Sequence, residues 1–387
     1  MKKARSIALS LACLSLVLSC GKEDIETPGN KPSDVPPTPQ TEKTIDYTKY
    51  SLGELAAMQG IKLGAAFTYQ EYMQNPKVAE ILKKEFKAVT FGNEMKHDAI
   101  VQRTGLMRYD NADRMALWAQ NAGAELFGHV LGWHSQQQTA YLNTVIDQAS
   151  ASGQSVSEAI DEAFKTFVYG MVKHFDVYAW DVVNETFADG ANGAFRTKGN
   201  SARDFVWGNY YPSTKDWVDK AFAYATDACA QSGKTPVLYI NDYNLETDPG
   251  KRKGLCDYVR NNPQVTGVAS QMHLDISTPN LESKIEASLK DLTATGKIVR
   301  ISELDLKNTS EAAQAELFKF IFQKYIEIVP QPQRGGITFW GINDKDSWLG
   351  ENNHPLLWKG SQYEIKEAYK TLYLYLCEIN GLSPYKE

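Results

Sequence analysis

Short apolar runs rich in β-branched residues alternate with longer helical stretches after residue 50, and this alternation constrains the fold more than any other feature. The stretches 158–173 and 311–327, for example, repeat apolar residues at spacings of three and four. Strands that alternate with helices predict parallel βαβ units. Eight such units favour a single (β/α)8 TIM barrel over residues 50–387. The predicted strands are 61–67, 88–91, 125–130, 177–183, 237–240, 267–272, 298–301 and 337–340.

An open, doubly wound sheet with a second domain is the competing arrangement, because it also alternates strands with helices. The chain has 387 residues, which suffices for two ordinary domains or for one large barrel. Its 43% hydrophobic and 23% charged residues are ordinary for a globular fold. No GxGxxG motif follows the first predicted strand. The missing motif weakens the open sheet, and we expect the barrel.

The first residues have the pattern of a signal peptide. Lys2, Lys3 and Arg5 precede the apolar run 7–18, which at about twelve residues is too short to cross a bilayer. The run ends before Cys20 in a pattern that resembles a bacterial lipoprotein cleavage site, so we predict a signal peptide over residues 1–19 and lipidation of Cys20. An ordinary secretion signal with an incidental cysteine is the alternative.

The residues after Cys20 extend this interpretation. Residues 21–24 (GKED) resemble the acidic signals that send lipoproteins of the Bacteroidetes group to the outer cell surface. The resemblance implies a lipid-anchored protein at the outer-membrane surface, with no other contact to a membrane. Residues 20–49 contain five prolines and almost no apolar residues, so we predict a disordered tether.

Cysteine usage gives little sign of cross-linking or metal binding. With Cys13 in the leader and Cys20 lipidated, only Cys229, Cys256 and Cys377 remain, and an odd count argues against a disulfide framework. Whether Cys229 and Cys256 pair stays open. No cysteine and histidine cluster has zinc-site spacing, so we predict neither a metal nor a cofactor.

Charge and aromatic content limit the partners. Lysine and arginine number 41 against 47 acidic residues, a net charge of −6. Removing the three basic residues of the leader gives 38 − 47 = −9, which disfavours nucleic acid. The 20 tyrosines and 8 tryptophans suit either a protein core or sugar-stacking surfaces. We expect a monomer that binds a saccharide.

Two predicted strands end in a carboxylate. The strand 177–183 is followed by Asn184 and Glu185, and the strand 298–301 is followed by Ser302 and Glu303. In a barrel these strand ends meet at one rim. Glycoside hydrolysis needs two carboxylates, one to protonate the leaving oxygen and one to stabilise or attack the anomeric carbon. Either glutamate alone is more simply a loop cap or a surface ion pair, but the two together favour catalysis.

Neighbouring polar residues strengthen the pair. Gln271 and His273 are two residues apart and should point to the same side, as should Glu303 and Asp305. A histidine between acids can orient a nucleophile and hold its charge state. Asn184 and Glu185 are adjacent, so their joint use requires a bulge or bend at the end of that strand.

Several motifs make the chain similar to glycoside hydrolase family 10, the endo-β-1,4-xylanases. The likeness extends in order from residue 64 to residue 358. The motifs are residues 128–136 (GHVLGWHSQ), 180–185 (WDVVNE), 301–305 (ISELD) and 338–341 (TFWG). The resemblance implies a retaining (β/α)8 hydrolase of xylan, with Glu185 as acid/base and Glu303 as nucleophile.

The same resemblance implies roles for other residues. Asn184 would bond the sugar 2-hydroxyl, His273 and Asp305 would position the nucleophile, and Gln271 precedes them as in the family. Trp133 could instead fill the barrel, Lys96 could be a solvated charge, and Tyr243 could pack a loop. The implied substrate-binding residues are Asn93, Lys96, His129, Trp133, His134, Asn241, Tyr243, Gln271, Trp340 and Trp348.

The chain departs from the family pattern at two positions. Gly92 stands where the family usually has glutamate, and His97 stands where it usually has tryptophan. We expect that catalysis survives and that binding on the glycone side is altered, in favour of a decorated or differently linked xylan. Two other functions stay open, a retaining endo-β-glucanase acting on cellulose or mixed-linkage glucan and a non-catalytic lipoprotein that binds polysaccharide.

Overall fold

The structure is a computed structural model and describes residues 43–201, 203–307 and 310–386. The predicted signal peptide, Cys20 and residues 20–42 of the predicted tether lie outside this range.

Eight parallel strands close into a barrel. Neighbouring strands pair in chain order from β1 to β6, β6 pairs with β8, β8 pairs with β9, and β9 returns to β1. Closure confirms the (β/α)8 TIM barrel and excludes the open sheet. The barrel strands are β1 Leu63–Phe67, β2 Ala88–Phe91, β3 Glu125–Gly132, β4 Ala179–Asn184, β5 Val237–Asp242, β6 Gly267–Ser270, β8 Ile298–Lys307 and β9 Arg334–Phe339.

Most predicted strands are in place, and the differences lie at their ends. The run predicted over 267–272 stops at Ser270, since Met272 adopts a left-handed φ of 56°, and β7 (His273–Asp275) follows as a separate strand beside β8. Strand β8 continues six residues beyond the predicted end at Ile301 and so includes Glu303 itself. Apolar composition missed these polar ends because they line a site and not the core.

Helices cover the outside of the barrel. The helix α7 extends the predicted stretch 158–173 by a few residues, and a capping box between Ser51 and Glu54 begins α1. The helices are α1 Leu52–Met58, α2 Tyr69–Gln74, α3 Pro76–Glu85, α4 His97–Ile100, α5 Asp110–Ala122, α6 Thr139–Ser152, α7 Val156–His174, α8 Thr214–Ser232, α9 Pro249–Asn261, α10 Leu281–Thr293, α11 Glu311–Ile328 and α12 Glu367–Ile379; β10 Trp358–Lys359 and β11 Glu364–Ile365 form a small separate hairpin.

Two apolar cores result from this arrangement. The larger lies between strands and helices, and a small cluster of Phe127, Ala179, Tyr239 and Ala269 lies inside the barrel. Side chains alternate across each strand, so one set faces the helices and the other fills the lumen.

The compact unit begins earlier than the predicted boundary at residue 50. Thr44–Glu387 forms one unit, and residues 44–49, assigned above to the tether, belong to it. Ile45 forms an antiparallel bridge with Tyr385, and the ring of Tyr47 packs edge-on against Tyr373. These contacts with the C-terminal segment explain why so polar a stretch is ordered.

Cys229, Cys256 and Cys377 are buried free thiols, so Cys229 and Cys256 do not pair.

Among the described residues, no helix has the length and apolar character needed to cross a membrane.

Replacement of Gly128 tests how tightly β3 packs against the Trp180 side chain of β4. A Cβ at this position would lie 2.1 Å from Cε3 of Trp180, a side chain that is 1% exposed. Gly128→Ala should therefore lower the free energy of unfolding by about 3 kcal/mol in chemical denaturation. Gly123→Ala is the control, because its Cβ meets nothing within 4 Å although φ is +72°. That variant should lose only about 1 kcal/mol, and equal losses would contradict the packing account.

Candidate active site

A cavity of about 510 Å³ opens where the barrel strands end. Twelve of the residues predicted from sequence line it, whereas Asn93, His134 and Asn241 do not. Asn200, Asn244, Leu274, Lys307 and Leu349 complete the lining. The predicted residues in the lining are Lys96, His129, Trp133, Asn184, Glu185, Tyr243, Gln271, His273, Glu303, Asp305, Trp340 and Trp348.

Glu303 is fixed by hydrogen bonds from two strands. The Nδ2 of Asn241 on β5 donates to Oε1 at 2.8 Å, and Nε2 of His273 on β7 lies 3.3 Å from Oε2. His273 is held in turn through Nδ1, 2.8 Å from Oδ1 of Asp305, whose other oxygen accepts from Nε1 of Trp348 at 2.7 Å. The carboxylate is therefore presented in one orientation.

The surroundings keep Glu303 ionised. Burial alone would raise its pKa, but the hydrogen bond from His273 and the electrostatic interactions with His129, His273 and Lys96 hold that pKa below its ordinary value. Burial likewise disfavours protonation of His273, yet Asp305 and Glu303 raise the pKa of that imidazole to about 10. At neutral pH the pair is a carboxylate beside an imidazolium.

Glu185 sits on the bend that its adjacency to Asn184 requires. The pairing of β4 with β5 shifts register after Asp181, and Glu185 adopts a φ of 57°. Its Oε1 then accepts from Nε2 of Gln271 at 3.2 Å, while Oδ1 of Asn184 accepts from the same nitrogen at 3.1 Å. Both side chains consequently face the cavity.

Glu185 has the opposite ionisation tendency to Glu303. Burial raises its pKa, and the negative charges of Asp242 and Glu303 raise it further, against hydrogen bonds that lower it. Two carboxyl groups whose pKa values are displaced in opposite directions can divide the roles of proton donor and nucleophile.

Sequence reasoning missed a link between Lys96 and Asn93. The Nζ of Lys96 donates to Oε1 of Gln136 at 2.7 Å, and Nε2 of Gln136 donates to Oδ1 of Asn93 at 3.2 Å. Lys96 is only 6% exposed and lies 4.9 Å from the ring centroid of Trp133. Lys96 is thus not a solvated surface charge, and Gln136, the last residue of the 128–136 motif, was the available signal.

Asp181 is a second residue that the sequence did not single out. Its Oδ2 lies 2.8 Å from Nδ1 of His129, and ligand-type atoms of His129, Asp181 and Glu303 all lie within 4.8 Å of one another. The contact with Asp181 holds His129 beside Glu303. The alternation of side chains along β4 could have indicated Asp181, because a residue two positions after Ala179 also faces the lumen.

Arg196 links the backbone of Glu185 to the side chain of Tyr243. Its Nε donates to the backbone oxygen of Glu185 at 2.8 Å, and Nη2 donates to the Tyr243 hydroxyl at 2.9 Å. Lys251 lies beneath the Tyr243 ring, 3.6 Å from its centroid. No periodic pattern marks Arg196, because it lies in the long irregular segment between β4 and α8.

His134 faces this side of the cavity from behind the wall. Its Nε2 lies 3.8 Å from carboxylate oxygens of both Glu185 and Asp204, and Nδ2 of Asn200 lies 3.3 Å away. Burial and the charge of Arg196 lower its pKa to about 4. His134 is therefore a neutral neighbour of Glu185.

The two departures from the family pattern occupy different environments. His97 is buried against Phe167 and Trp207, its Nδ1 accepts from the backbone of Gln138, and burial lowers its pKa to about 3. Gly92 directly follows β2, and a Cβ there would stand 3.1 Å from Cγ2 of Thr68. Neither His97 nor Gly92 is in the lining of the cavity, so each could change glycone binding only through its neighbours.

The barrel is closed and parallel, and two carboxyl groups lie at its C-terminal mouth, one with a raised and one with a lowered pKa. These features define the class of two-carboxylate barrel glycosidases. The sequence model described as glycosyl hydrolase family 10 matches residues 51–374. The chain belongs to glycosyl hydrolase family 10, which confirms the resemblance predicted from its motifs.

Individual relatives are distant. Endo-beta-1,4-xylanase Xyn10C of Cellvibrio japonicus is 29% identical over 72% of this chain and 47% of the relative. Exoglucanase XynX of Acetivibrio thermocellus is 29% identical over 75% of this chain and 26% of the relative. The chain thus spans half or less of the length of these two.

A solved structure of the Clostridium thermocellum endo-1,4-beta-D-xylanase 10B modules, complexed with xylohexaose, is 25% identical. It matches with a TM-score of 0.75 over 85% of this chain and 68% of that chain.

The charge state of His273 can be measured directly. In ¹⁵N NMR spectra at about pH 8, His273 should remain protonated because its pKa is about 10, whereas His134, with a pKa of about 4, should be neutral. Glu303→Gln removes one of the two carboxylates beside His273 and should lower its pKa. A neutral His273 at this pH in the wild-type protein would contradict the assigned ion pair.

Proposed function

We propose that the protein is a retaining endo-β-1,4-xylanase that hydrolyses internal bonds of xylan by double displacement. The observation that carries the proposal is the opposite displacement of the pKa values of Glu185 and Glu303 within one open cavity. Family membership and the xylanase names of relatives support the substrate class.

In the proposed mechanism Glu303 attacks the anomeric carbon while protonated Glu185 donates its proton to the leaving oxygen. Glu185 then removes a proton from water, which displaces the sugar from Glu303. Asn184, held by Gln271, is positioned to bond the 2-hydroxyl, and such a bond can strengthen as the ring flattens. His273 and Asp305 keep the nucleophile oriented, and His129, Trp133, Trp340 and Trp348 supply ring surfaces along the cavity.

Acid/base and nucleophile variants test the assignment. Glu303→Gln should reduce xylan hydrolysis at least about 1,000-fold without loss of the fold, because the covalent step is removed. Glu185→Ala should lose kcat/KM on xylan but retain much of it on aryl xylobiosides, whose leaving groups need no proton, while kcat falls on both because the water of the second step is no longer activated. Reducing-sugar and chromophore assays measure both. Equal losses of Glu185→Ala on the two substrates would count against its acid role.

The substrate alternatives separate in one assay. A retaining endo-β-glucanase is the second candidate, and the name of the exoglucanase relative favours testing it. Release of reducing ends from xylan but not from carboxymethyl cellulose or mixed-linkage glucan supports the xylanase. Binding of polysaccharide without release of ends would instead establish the non-catalytic lipoprotein, although such a binder has no need of two tuned carboxyl groups.

Gly92 is proposed to widen the glycone side for decorated xylan. Neighbouring acids do not replace the missing glutamate, because Glu94 accepts from the backbone of Tyr69 and Asn93, and Glu71 accepts from Thr68. The position beside Gly92 therefore lacks the carboxylate that the family pattern supplies.

Gly92→Glu should raise kcat/KM on linear xylo-oligosaccharides by about 10-fold, the value of one hydrogen bond to a charged group, and lower it on side-chain-bearing xylan. Gly92→Ala, which adds bulk without an acceptor, is the matched control and should show only the second effect. Unchanged preference between linear and decorated substrates in Gly92→Glu would overturn this proposal.

For location we propose a monomer anchored at the outer-membrane surface through lipidated Cys20. The basic leader, the cysteine after the apolar run and the GKED stretch support it. Metabolic labelling with a fatty acid should mark the wild type and not Cys20→Ala, and labelling of neither would point to plain secretion.

A further inference from the structure

Arg196 is fixed in the irregular segment between β4 and α8 by its own backbone. Its N–H donates to the Thr186 oxygen at 2.7 Å, and its oxygen accepts from Oγ1 of Thr214 at 2.8 Å. Arg196 is only 7% exposed and is not in the lining of the cavity. Its guanidinium is therefore held inside the protein and can act on the cavity only through other residues.

The guanidinium of Arg196 binds three residues that do line the cavity. Nε donates to the backbone oxygen of Glu185 at 2.8 Å, Nη1 donates to Oδ1 of Asn200 at 2.8 Å, and Nη2 donates to the Tyr243 hydroxyl at 2.9 Å. These acceptors lie directly after β4, in the irregular segment that follows, and directly after β5. The planar fork of an arginine presents its donors in a fixed geometry that a lysine ammonium does not reproduce. One side chain thus joins three parts of the wall.

The bond to Glu185 supports an unfavourable backbone conformation. Glu185 has a φ of 57°, in the left-handed region that residues other than glycine rarely adopt. Its N–H donates to the Asn241 oxygen at 2.9 Å, and its carbonyl oxygen accepts from Nε of Arg196. Such a conformation persists only where its surroundings hold it. Arg196 supplies one of these two bonds and so helps to keep the Glu185 carboxyl group turned toward the cavity.

Tyr243 and Asn200 lie on the Glu185 side of the cavity. The Tyr243 hydroxyl donates to Asp189, a residue of the loop that follows Glu185. Nδ2 of Asn200 lies 3.3 Å from Nε2 of His134, and the same histidine nitrogen is 3.8 Å from Oε2 of Glu185. The acid of a glycosidase protonates the oxygen that departs. Residues gathered around Glu185 are therefore placed to contact the leaving sugar.

Resting on the proposed function, we propose that Arg196 is a positioning residue for departure of the leaving sugar. Its three hydrogen bonds hold the bend that presents the Glu185 carboxyl group, and they fix Asn200 and Tyr243 beside it. Proton donation and binding of the leaving sugar then depend on the same side chain. Arg196 touches no reacting atom and acts only through these three residues.

Two substrates with different leaving groups separate this role from support of the fold. Arg196→Gln should lower kcat/KM on xylotetraose at least about 10-fold, because lost hydrogen bonds from a charged group displace both the acid and the wall. On dinitrophenyl β-xylobioside, whose leaving group needs neither a proton nor a sugar site, kcat/KM should fall less than about 3-fold. On that substrate kcat and KM should fall together, because Glu185 also activates the water of the second step. Equal losses of kcat/KM on the two substrates would refute the proposal.

Two further variants sharpen the comparison. Arg196→Lys keeps the positive charge but cannot bond the three acceptors at once, so it should show the same difference between the substrates. Tyr243→Phe removes only one of the three bonds and should lower kcat/KM on xylotetraose without lowering kcat on the dinitrophenyl glycoside. Full activity of Arg196→Lys, or failure of both Arg196 variants to fold, would overturn the proposal and leave Arg196 a residue that serves the fold alone.

Arg334→Gln is the matched control for loss of an arginine. The guanidinium of Arg334 also donates to three oxygens, and these belong to the backbones of Gln59, Ile326 and Val329. Arg334 begins β9 and therefore lies at the end of the barrel opposite the cavity. This variant should lower the melting temperature and leave the ratio of kcat/KM on the two substrates unchanged. A ratio that changed as in Arg196→Gln would show that it follows stability, and the proposal would fail.

The Glu185 amide gives a readout that does not depend on activity. This amide, which donates to Asn241, should exchange its hydrogen at least about 10-fold faster in Arg196→Gln than in Arg334→Gln, whether or not xylan is cleaved. Faster exchange without hydrolysis by the wild type would support the role of Arg196 and refute the xylanase. Unchanged exchange in an active enzyme would contradict the role of Arg196 and leave the proposed function intact.

Discussion

Closure of the parallel sheet is the constraint on which the site depends. Glu185 follows β4 and Glu303 lies within β8, so more than a hundred residues separate them along the chain. The pairings of β6 with β8 and of β9 with β1 bring these strand ends to one mouth. Without closure neither carboxyl group would have the neighbours that set its proton affinity.

Unequal environments give two chemically identical side chains opposite tendencies to ionise. Glu303 receives hydrogen bonds from Asn241 and lies beside the imidazolium of His273, which favour the anion. Glu185 is buried beside other acids, which favours the neutral form. The bend at residue 185 is part of this division, because it turns the carboxyl group toward Gln271 and the cavity. Fold, backbone conformation and charge thus act on the same two residues.

Local pattern predicted the repeating architecture and the strand-end carboxylates because both follow from periodicity and strand direction. The bend at Glu185 was also predicted, because Asn184 and Glu185 are adjacent and could not otherwise both face the cavity. Local pattern did not reveal Gln136, Asp181 or Arg196, whose partners come from distant strands and irregular loops. The predicted end of β8 was too early, because the strand becomes polar where it enters the site. His97 was expected to affect glycone binding, but its side chain is buried against Phe167 and does not reach the cavity.

Trapping of the covalent intermediate tests the central claim most directly. An activated 2-deoxy-2-fluoro-β-xylobioside should inactivate the enzyme, and peptide mass spectrometry should find the sugar on Glu303. Labelling of Glu185, or of neither carboxylate while xylan is still cleaved with inversion at the anomeric carbon, would contradict the division of roles inferred from the structure.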